Sequence, residues 1–350
     1  MRIFLCFVLI SVADLSAQDS PKKAKWSIYP IPYWSPQTSF GGGLISSYKF
    51  FPRNNDSLPT TITAYGLYTA KKQILVETSF DHWRNVDLDR YTTSLSYRYF
   101  PDFFYGIGND LPDTTEDYTP RSIGVEAVYQ HKVRRHLYAG AQAEWLYYDV
   151  IKTEPGGKLE QGVAGTGKGS VVSVGLNANY DTRDNRSFPR NGSFHSARLQ
   201  PYPTFLGSRY GFVNLLMDYR WYFPLFERQA VAYQLVTRFG WGNVPFYKMA
   251  LFGGNDLMRG YWEGRYRDRN MIAMQAEYRF HLFWKIGGAL FGGFGDVAHD
   301  VIDFRVRELK PSFGYGLRFE LGPQGSTSIR IDLGYGKNSA ALAAGIGEAF

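Results

Sequence analysis

The dominant pattern along the chain is a two-residue alternation of apolar and polar positions that recurs from about Ser39 to the end. Between Met271 and Phe283, Ile272, Met274, Ala276, Tyr278, Phe280 and Leu282 fall on one face, and Gln275, Glu277, Arg279 and His281 on the other. Successive side chains of a strand point to opposite faces, so this period predicts strands with one apolar and one polar side. Ile329, Ile331, Leu333 and Tyr335 likewise oppose Arg330 and Asp332, and Tyr315, Leu317, Phe319 and Leu321 oppose Arg318 and Glu320. Upstream, Val213, Leu215, Met217, Tyr219, Trp221 and Phe223 oppose Asn214, Asp218 and Arg220. Val172, Val174, Leu176, Ala178 and Tyr180 oppose Ser173, Asn177, Asn179 and Asp181, and Ala139, Ala141, Ala143, Trp145 and Tyr147 oppose Gln142 and Glu144. Helical periodicity is nearly absent.

A soluble β-sandwich alternates in the same way. Two features point elsewhere. The alternating runs commonly reach about ten residues, where globular strands average about 5–6. Aromatic residues also gather at the run ends, as in Tyr219–Phe223, Phe239-Gly-Trp241 and Phe280–Trp284, which is the placement that girdles at two membrane interfaces produce. The connections alternate in length. Long polar ones span 102–117, 151–169, 245–269 and 298–310, and short ones span 133–135, 224–228 and 322–325. The predicted fold is therefore all-β: a transmembrane antiparallel β-barrel with long loops on one side and short turns on the other. Fifteen strands and a short first one near Trp26–Trp34 give sixteen, an even number that places both ends of the barrel on the periplasmic side.

Composition changes this picture little. Hydrophobic residues make up 44% of the 350 and aromatics 17%, yet mean hydropathy is only −0.30, because a barrel has a polar lumen face as well as an apolar lipid face. The N-terminus reads as a signal peptide, residues 1–17. Arg2 supplies its charge, Ile3–Ala13 its apolar run and Leu15-Ser16-Ala17 its cleavage site; the alternative is an interfacial helix. A short periplasmic leader, 18–28, precedes a barrel over 29–350. The single cysteine, Cys6, lies in the signal, so no disulfide is expected. The formal charge of +7 is scattered and forms no basic helix or patch. It suits contact with outer-membrane lipid headgroups and lipopolysaccharide, and no nucleic acid is expected as a partner.

Candidate chemistry is sparse. Gly162-Val-Ala-Gly-Thr-Gly-Lys168 is close to a phosphate-binding loop, but Gly169 stands in place of Ser/Thr and the segment opens no helix, so it reads as a flexible surface loop. The six histidines have no metal-ligand spacing, and no Gly-x-Ser-x-Gly elbow occurs. No catalytic residue, metal, cofactor or enzymatic activity is expected.

Three stretches carry a resemblance. One is Tyr180-Asp-Thr-Arg-Asp-Asn-Arg-Ser-Phe-Pro-Arg-Asn-Gly192, a strand–turn motif that includes Asp181, Arg183, Asp184, Pro189 and Gly192. A second is Pro245-Phe-Tyr-Lys248 leading to Phe252-Gly-Gly-Asn-Asp-Leu-Met-Arg-Gly-Tyr261, with Gly253, Gly254, Arg259, Gly260 and Tyr261. The third is Gly345-Ile-Gly-Glu-Ala-Phe350, with Ile346, Gly347 and Phe350. Together, over Ser39–Phe350, they resemble the barrel of the bacterial surface antigen family, the BamA/TamA-type outer-membrane assembly and translocation proteins.

The resemblance implies that the loop between strands 11 and 12, residues 253–269, folds inward. There Arg259 pairs with acids on the inner wall. Glu277 matches the family's glutamate. The second family acid falls near Gly293, so Asp296 is the expected substitute. The last strand ends at Phe350 as an insertion signal, with Leu342, Ala344, Ile346, Glu348 and Phe350 on one face and Glu348 at the rim. The family's periplasmic repeat domains have no room before the barrel, so a barrel-only member with a periplasmic or outer-membrane protein partner is expected. In the family the seam between first and last strands opens. Ala340, Ala341, Ala343, Ala344, Gly345 and Gly347 suit a labile seam or a face for homo-oligomerisation. The expected role is outer-membrane protein assembly, insertion or translocation. The alternatives are a passive porin-like channel plugged by the Arg259–Glu277 loop, and a structural barrel acting through its surface loops.

Overall fold

The structure is a computed structural model that describes residues 24–350 except 36–38, 52–57, 86–87, 113, 187 and 322–326. The signal segment 1–17, and the leader as far as residue 23, lie outside the described residues. Sixteen long strands follow in order. They are β1 (Lys25–Ser35), β2 (Ser39–Phe50), β3 (Thr60–Thr69), β4 (Ile74–Arg84), β5 (Asp89–Tyr99), β6 (Glu116–Arg134), β7 (Leu137–Lys152), β8 (Gly169–Asp181), β9 (Gly192–Tyr202), β10 (Phe212–Pro224), β11 (Ala230–Gly242), β12 (Asn270–Phe283), β13 (Ile286–Ala298), β14 (Lys310–Leu321), β15 (Thr327–Gly336) and β16 (Ser339–Ile346). Each pairs antiparallel with the next, from β1 with β2 through to β15 with β16. Three-residue strands at Asp102–Phe104, Ala250–Phe252 and Tyr266–Asp268 sit in the long loops. Among the described residues no helix is long and apolar enough to cross a membrane, a statement that leaves strands aside.

The alternation in the sequence sorts the residues as expected. Val174, Leu176, Met274, Leu290, Phe313, Tyr315, Leu317 and Ile331 face outward and are exposed, while Gln142, Gln234, Gln275, Glu277, Arg318 and Asp332 face inward and are buried. The reversal of the usual inside-out rule follows from the solvent. Lipid covers the outer face, so apolar side chains stay there. β1 is longer than the short strand expected, and it starts at Lys25, ahead of the boundary drawn at 29.

The loop end of the barrel is packed. Phe104, Tyr118, Leu159, Tyr202, Phe212, Val244, Phe246 and Met249 form a buried cluster that joins the β5–β6, β7–β8, β9–β10 and β11–β12 loops. The 162–168 stretch, expected to be a flexible surface loop, belongs to this cap. The Phe246 N–H donates to Ala164 O at 2.8 Å, and the Gly165 N–H donates to Tyr210 Oη at 3.0 Å. A Cβ on Gly165 would stand 3.0 Å from Phe246, Pro245 and Tyr247. Aromatic packing, which the glycine-rich spelling conceals, orders the stretch.

The expectation for Phe350 is corrected. β16 stops at Ile346 and Gly347 takes a positive φ of 82°, which turns the chain out of the strand. Glu348 and Phe350 then lie inside, not on the lipid face. The physical reason is charge. Glu348 Oε2 meets Arg318 Nε at 2.8 Å, and the Phe350 backbone oxygen accepts from Arg279 Nη2 at 2.8 Å. Continued strand geometry would have aimed the Glu348 carboxylate outward, into lipid. The turn at Gly347 brings it to two buried arginines instead. The Phe350 ring, 3% exposed, packs with Tyr222, Ala232 and Ala349.

Candidate functional site

The connection between β11 and β12 folds into the lumen. Its arms, Ala250–Phe252 and Tyr266–Asp268, pair as a small hairpin. Between them the chain doubles back at Gly253, Gly254 and Gly260, whose φ values of 96°, 129° and 110° suit glycine. At Gly260 a second constraint applies. A Cβ there would lie 2.6–2.8 Å from the backbone of Tyr335 and Gly334 in β15. The wall is cut to match. A Cβ on Gly334 would lie 2.6 Å from Arg259 C, and one on Gly336 would lie 2.5 Å from the Tyr261 ring.

This close approach places Arg259 fully out of solvent. Its Nη2 is 2.6 Å from Glu277 Oε2 and its Nη1 is 2.7 Å from Asp332 Oδ2. The guanidinium stands over the Phe291 ring, 3.5 Å from the centroid. The tip is held further by Ser312 Oγ, which donates to Arg259 O at 2.5 Å, and by Tyr261 Oη, which donates to Pro311 O and accepts from the Lys337 N–H, both at 2.7 Å. Behind it Phe252, Met258, Tyr261 and Tyr266 pack against Met271, Ala273 and Val297 of the wall.

A buried ion is tolerable only when its charge is compensated, and the wall supplies a continuous network of ion pairs. Glu277 Oε1 accepts from Arg279 Nε at 2.7 Å, and its Oε2 is also 3.3 Å from Arg318 Nη2. Asp332 meets Arg330 at 2.9 Å and Arg318 as well. Arg330 also pairs with Asp256 of the loop. The Glu277 carboxylate is thus shared by the loop arginine and by the two arginines that hold Glu348 and Phe350.

The strand–turn motif joins the same network at the short-turn end. Arg183 clasps Asp181 through Nε and Nη2, both at 2.9 Å, and Asp184 Oδ1 accepts from the Arg190 N–H at 3.0 Å. Gly192, at φ 99°, presses on Thr182 O, where a Cβ would come to 2.3 Å. This folded turn aims the Pro189 carbonyl inward, where it accepts from Arg279 Nη1 at 3.1 Å.

The structure keeps Glu277 as the partner of Arg259 and replaces Asp296. Asp296 sits opposite Ile272, nearer the loop end than Glu277, which sits opposite Phe291. Its carboxylate meets Lys310 Nζ at 2.5 Å, and Lys310 in turn donates to Asn109 of the β5–β6 loop at 2.6 Å. The second acid comes from Asp332, two strands further along the wall. Asp332, Arg318, Phe291, Gly334 and Gly336 escaped the sequence reading as site residues. A usable signal existed: Gly334 and Gly336 leave two consecutive inward positions empty beside an inward aspartate. Beside the loop the lumen holds a cavity of about 870 Å³, lined among others by Arg98, Asp102, Arg238, Glu263, Ala341 and Ala343. Among the described residues no group of three or more His, Cys, Asp or Glu is arranged to hold a metal.

No curated protein matches the chain by sequence. The Omp85 superfamily domain matches residues 60–350. Among solved structures, BamA from Haemophilus ducreyi lacking POTRA domains 1-3 superposes with a TM-score of 0.65 at 12% identity, covering 97% of this chain and 75% of that one. CdiB from Acinetobacter baumannii superposes with a TM-score of 0.57 at 12% identity, covering 98% of this chain and 65% of that one. At such identity these two likenesses speak for the fold. The family match, which takes in most of the chain, speaks for descent: the protein belongs to the Omp85 superfamily and is an outer-membrane β-barrel of the BamA/TamA type.

Proposed function

We propose that the protein promotes insertion or translocation of other polypeptides at the outer membrane, through the seam between β1 and β16. The observation that carries this reading is the state of that seam. Ladders run in series from β1 to β16, but among the described residues none pairs β16 back to β1. Unpaired backbone groups at membrane depth are costly, so such an edge favours a strand that satisfies it. The seated loop supports the same reading, because it braces the β12–β15 wall. On this reading the partners are membrane lipids and an unfolded, strand-forming polypeptide, and no enzymatic step is involved. The test is reconstitution in lipid vesicles, followed by the folding rate of a urea-unfolded outer-membrane barrel added from outside. Acceleration over empty vesicles is expected. Equal rates with and without the protein sink the proposal.

A second reading, a plugged channel, draws on the lumen cavity beside the loop. Planar-bilayer recordings separate the two. A large steady current indifferent to Arg259→Ala sinks the plugged channel and leaves the insertion reading to the vesicle test.

A further inference from the structure

The two edges of the seam are built differently. β1 contains Pro30 and Pro32, yet its ladder to β2 runs unbroken through Pro30↔Leu44 and Pro32↔Gly42. Proline has no N–H. Along an antiparallel pair, residues alternate between those whose N–H and C=O face the partner strand and those whose groups face away. An unbroken ladder therefore requires both prolines at positions that face away from β2. The free edge of β1 is then formed by the main-chain groups of Trp26, Ile28, Pro30, Pro32 and Trp34, and its two adjacent central donors are missing.

β16 presents the opposite case. The Gly347 N–H donates to Ser328 O of β15 at 2.7 Å. Alternation from that bond leaves Ala340, Leu342, Ala344 and Ile346 facing the free edge, each with N–H and C=O available. Proline in a strand is confined to edges whose N–H side is unpaired, and it blunts an edge against further pairing.

We propose that Pro30 and Pro32 keep β1 from zipping onto β16, and that they make β16, not β1, the edge that accepts an incoming extended polypeptide strand. The nature of the incoming strand rests on the insertion reading above; the block on β1 does not. Recognition at β16 goes through the main chain. Ala340, Ala341, Ala343, Ala344 and Gly345 offer little side chain to read, so strand addition there tolerates many partner sequences. The turn at Gly347 carries the chain inward, so the accepting edge ends at Ile346.

The experiment uses the full chain with Cys6→Ser, folded in lipid vesicles and checked by heat-modifiable gel mobility. Disulfide formation across the seam is measured between Ile28→Cys and, in turn, Ala340→Cys, Leu342→Cys or Ala344→Cys. Two restored ladder hydrogen bonds should raise the yield about fivefold or more in Pro30→Val/Pro32→Val. Efficient cross-linking with both prolines present overturns the block on β1. Strand acceptance is then read with a photo-cross-linking residue at Leu342 or at Ile28 and a urea-unfolded second copy of this chain as the incoming strand. Adducts are expected from position 342, and about fivefold fewer from position 28. Equal or reversed yields overturn the assignment to β16. Adducts from neither position overturn strand acceptance and the insertion reading together, while the disulfide yields still decide whether the prolines hold the seam.

Discussion

Gly334→Ala tests the seat of the inward loop with a single methyl group. The added carbon would stand 2.6 Å from Arg259 C and 2.7 Å from Arg259 O and Gly260 N. All three are backbone atoms in a tip that is itself pinned by Ser312 and Tyr261, so no flexible side chain can give way. Overpacking of this kind costs about 1–3 kcal/mol. The strand itself has no objection to alanine, since the position faces the lumen and the cost exists only while the loop is seated. The penalty therefore falls on one equilibrium, seated against released, and raises the released fraction about five- to 150-fold. Met258, fully buried behind the tip, is a suitable reporter. As Met258→Cys in a Cys6→Ser background, its rate of labelling by a water-soluble maleimide follows the released fraction. Circular dichroism should show the sheet content unchanged. If Gly334→Ala labels no faster than its parent, the tip does not rest on β15 and the described seat is wrong.

Other substitutions separate the members of the network. Arg259→Ala removes one cation from Glu277 and Asp332, each of which keeps two arginines; the expected cost is near the lower end for a broken buried pair, about 3 kcal/mol, read as a lower thermal midpoint with higher bilayer conductance. Asp332→Asn should release the loop tip, whereas Asp296→Asn should leave Met258→Cys protected and loosen only the Lys310–Asn109 link at the loop end, seen as faster proteolysis within the β5–β6 loop. Glu348→Gln should free the segment after β16, so that Ala349→Cys, nearly buried at 8% exposure, labels faster than in the parent. Gly347→Ala places a Cβ at a φ of 82° and should cost about 1–2 kcal/mol, again with faster labelling at position 349.

Strand identity and facing were readable because membrane and lumen impose a strict alternation on every strand. Glu277 and Arg318 could be placed inside from parity alone. The inward loop followed from a resemblance in Arg259-Gly260-Tyr261. What parity does not contain is the level of a residue along the barrel axis. Asp296 and Asp332 both face inward, and the sequence offers no measure of height, so the acid closest to the family's position at Gly293 was preferred to the nearer acid in space. The path of the last residues was hidden for another reason. Ile346, Glu348 and Phe350 keep the two-residue rhythm, and only the backbone turn at Gly347 breaks it. The charge on Glu348 was the one sign that the rhythm had ended.

Arg279 touches three segments that are far apart in the chain: the β8–β9 turn at Pro189, the stretch after β16 at Phe350 and, through Glu277, the inward loop. For protein engineering this sets the size of an exchangeable part. The loop cannot be grafted onto another barrel by copying residues 243–269 alone, because its anchor is only as good as the turn and the strand end that hold Arg279 in place. Substitutions at these three segments should be tolerated in concert more readily than singly, and a transplant that moves the loop should carry β12, β14 and β15 with it.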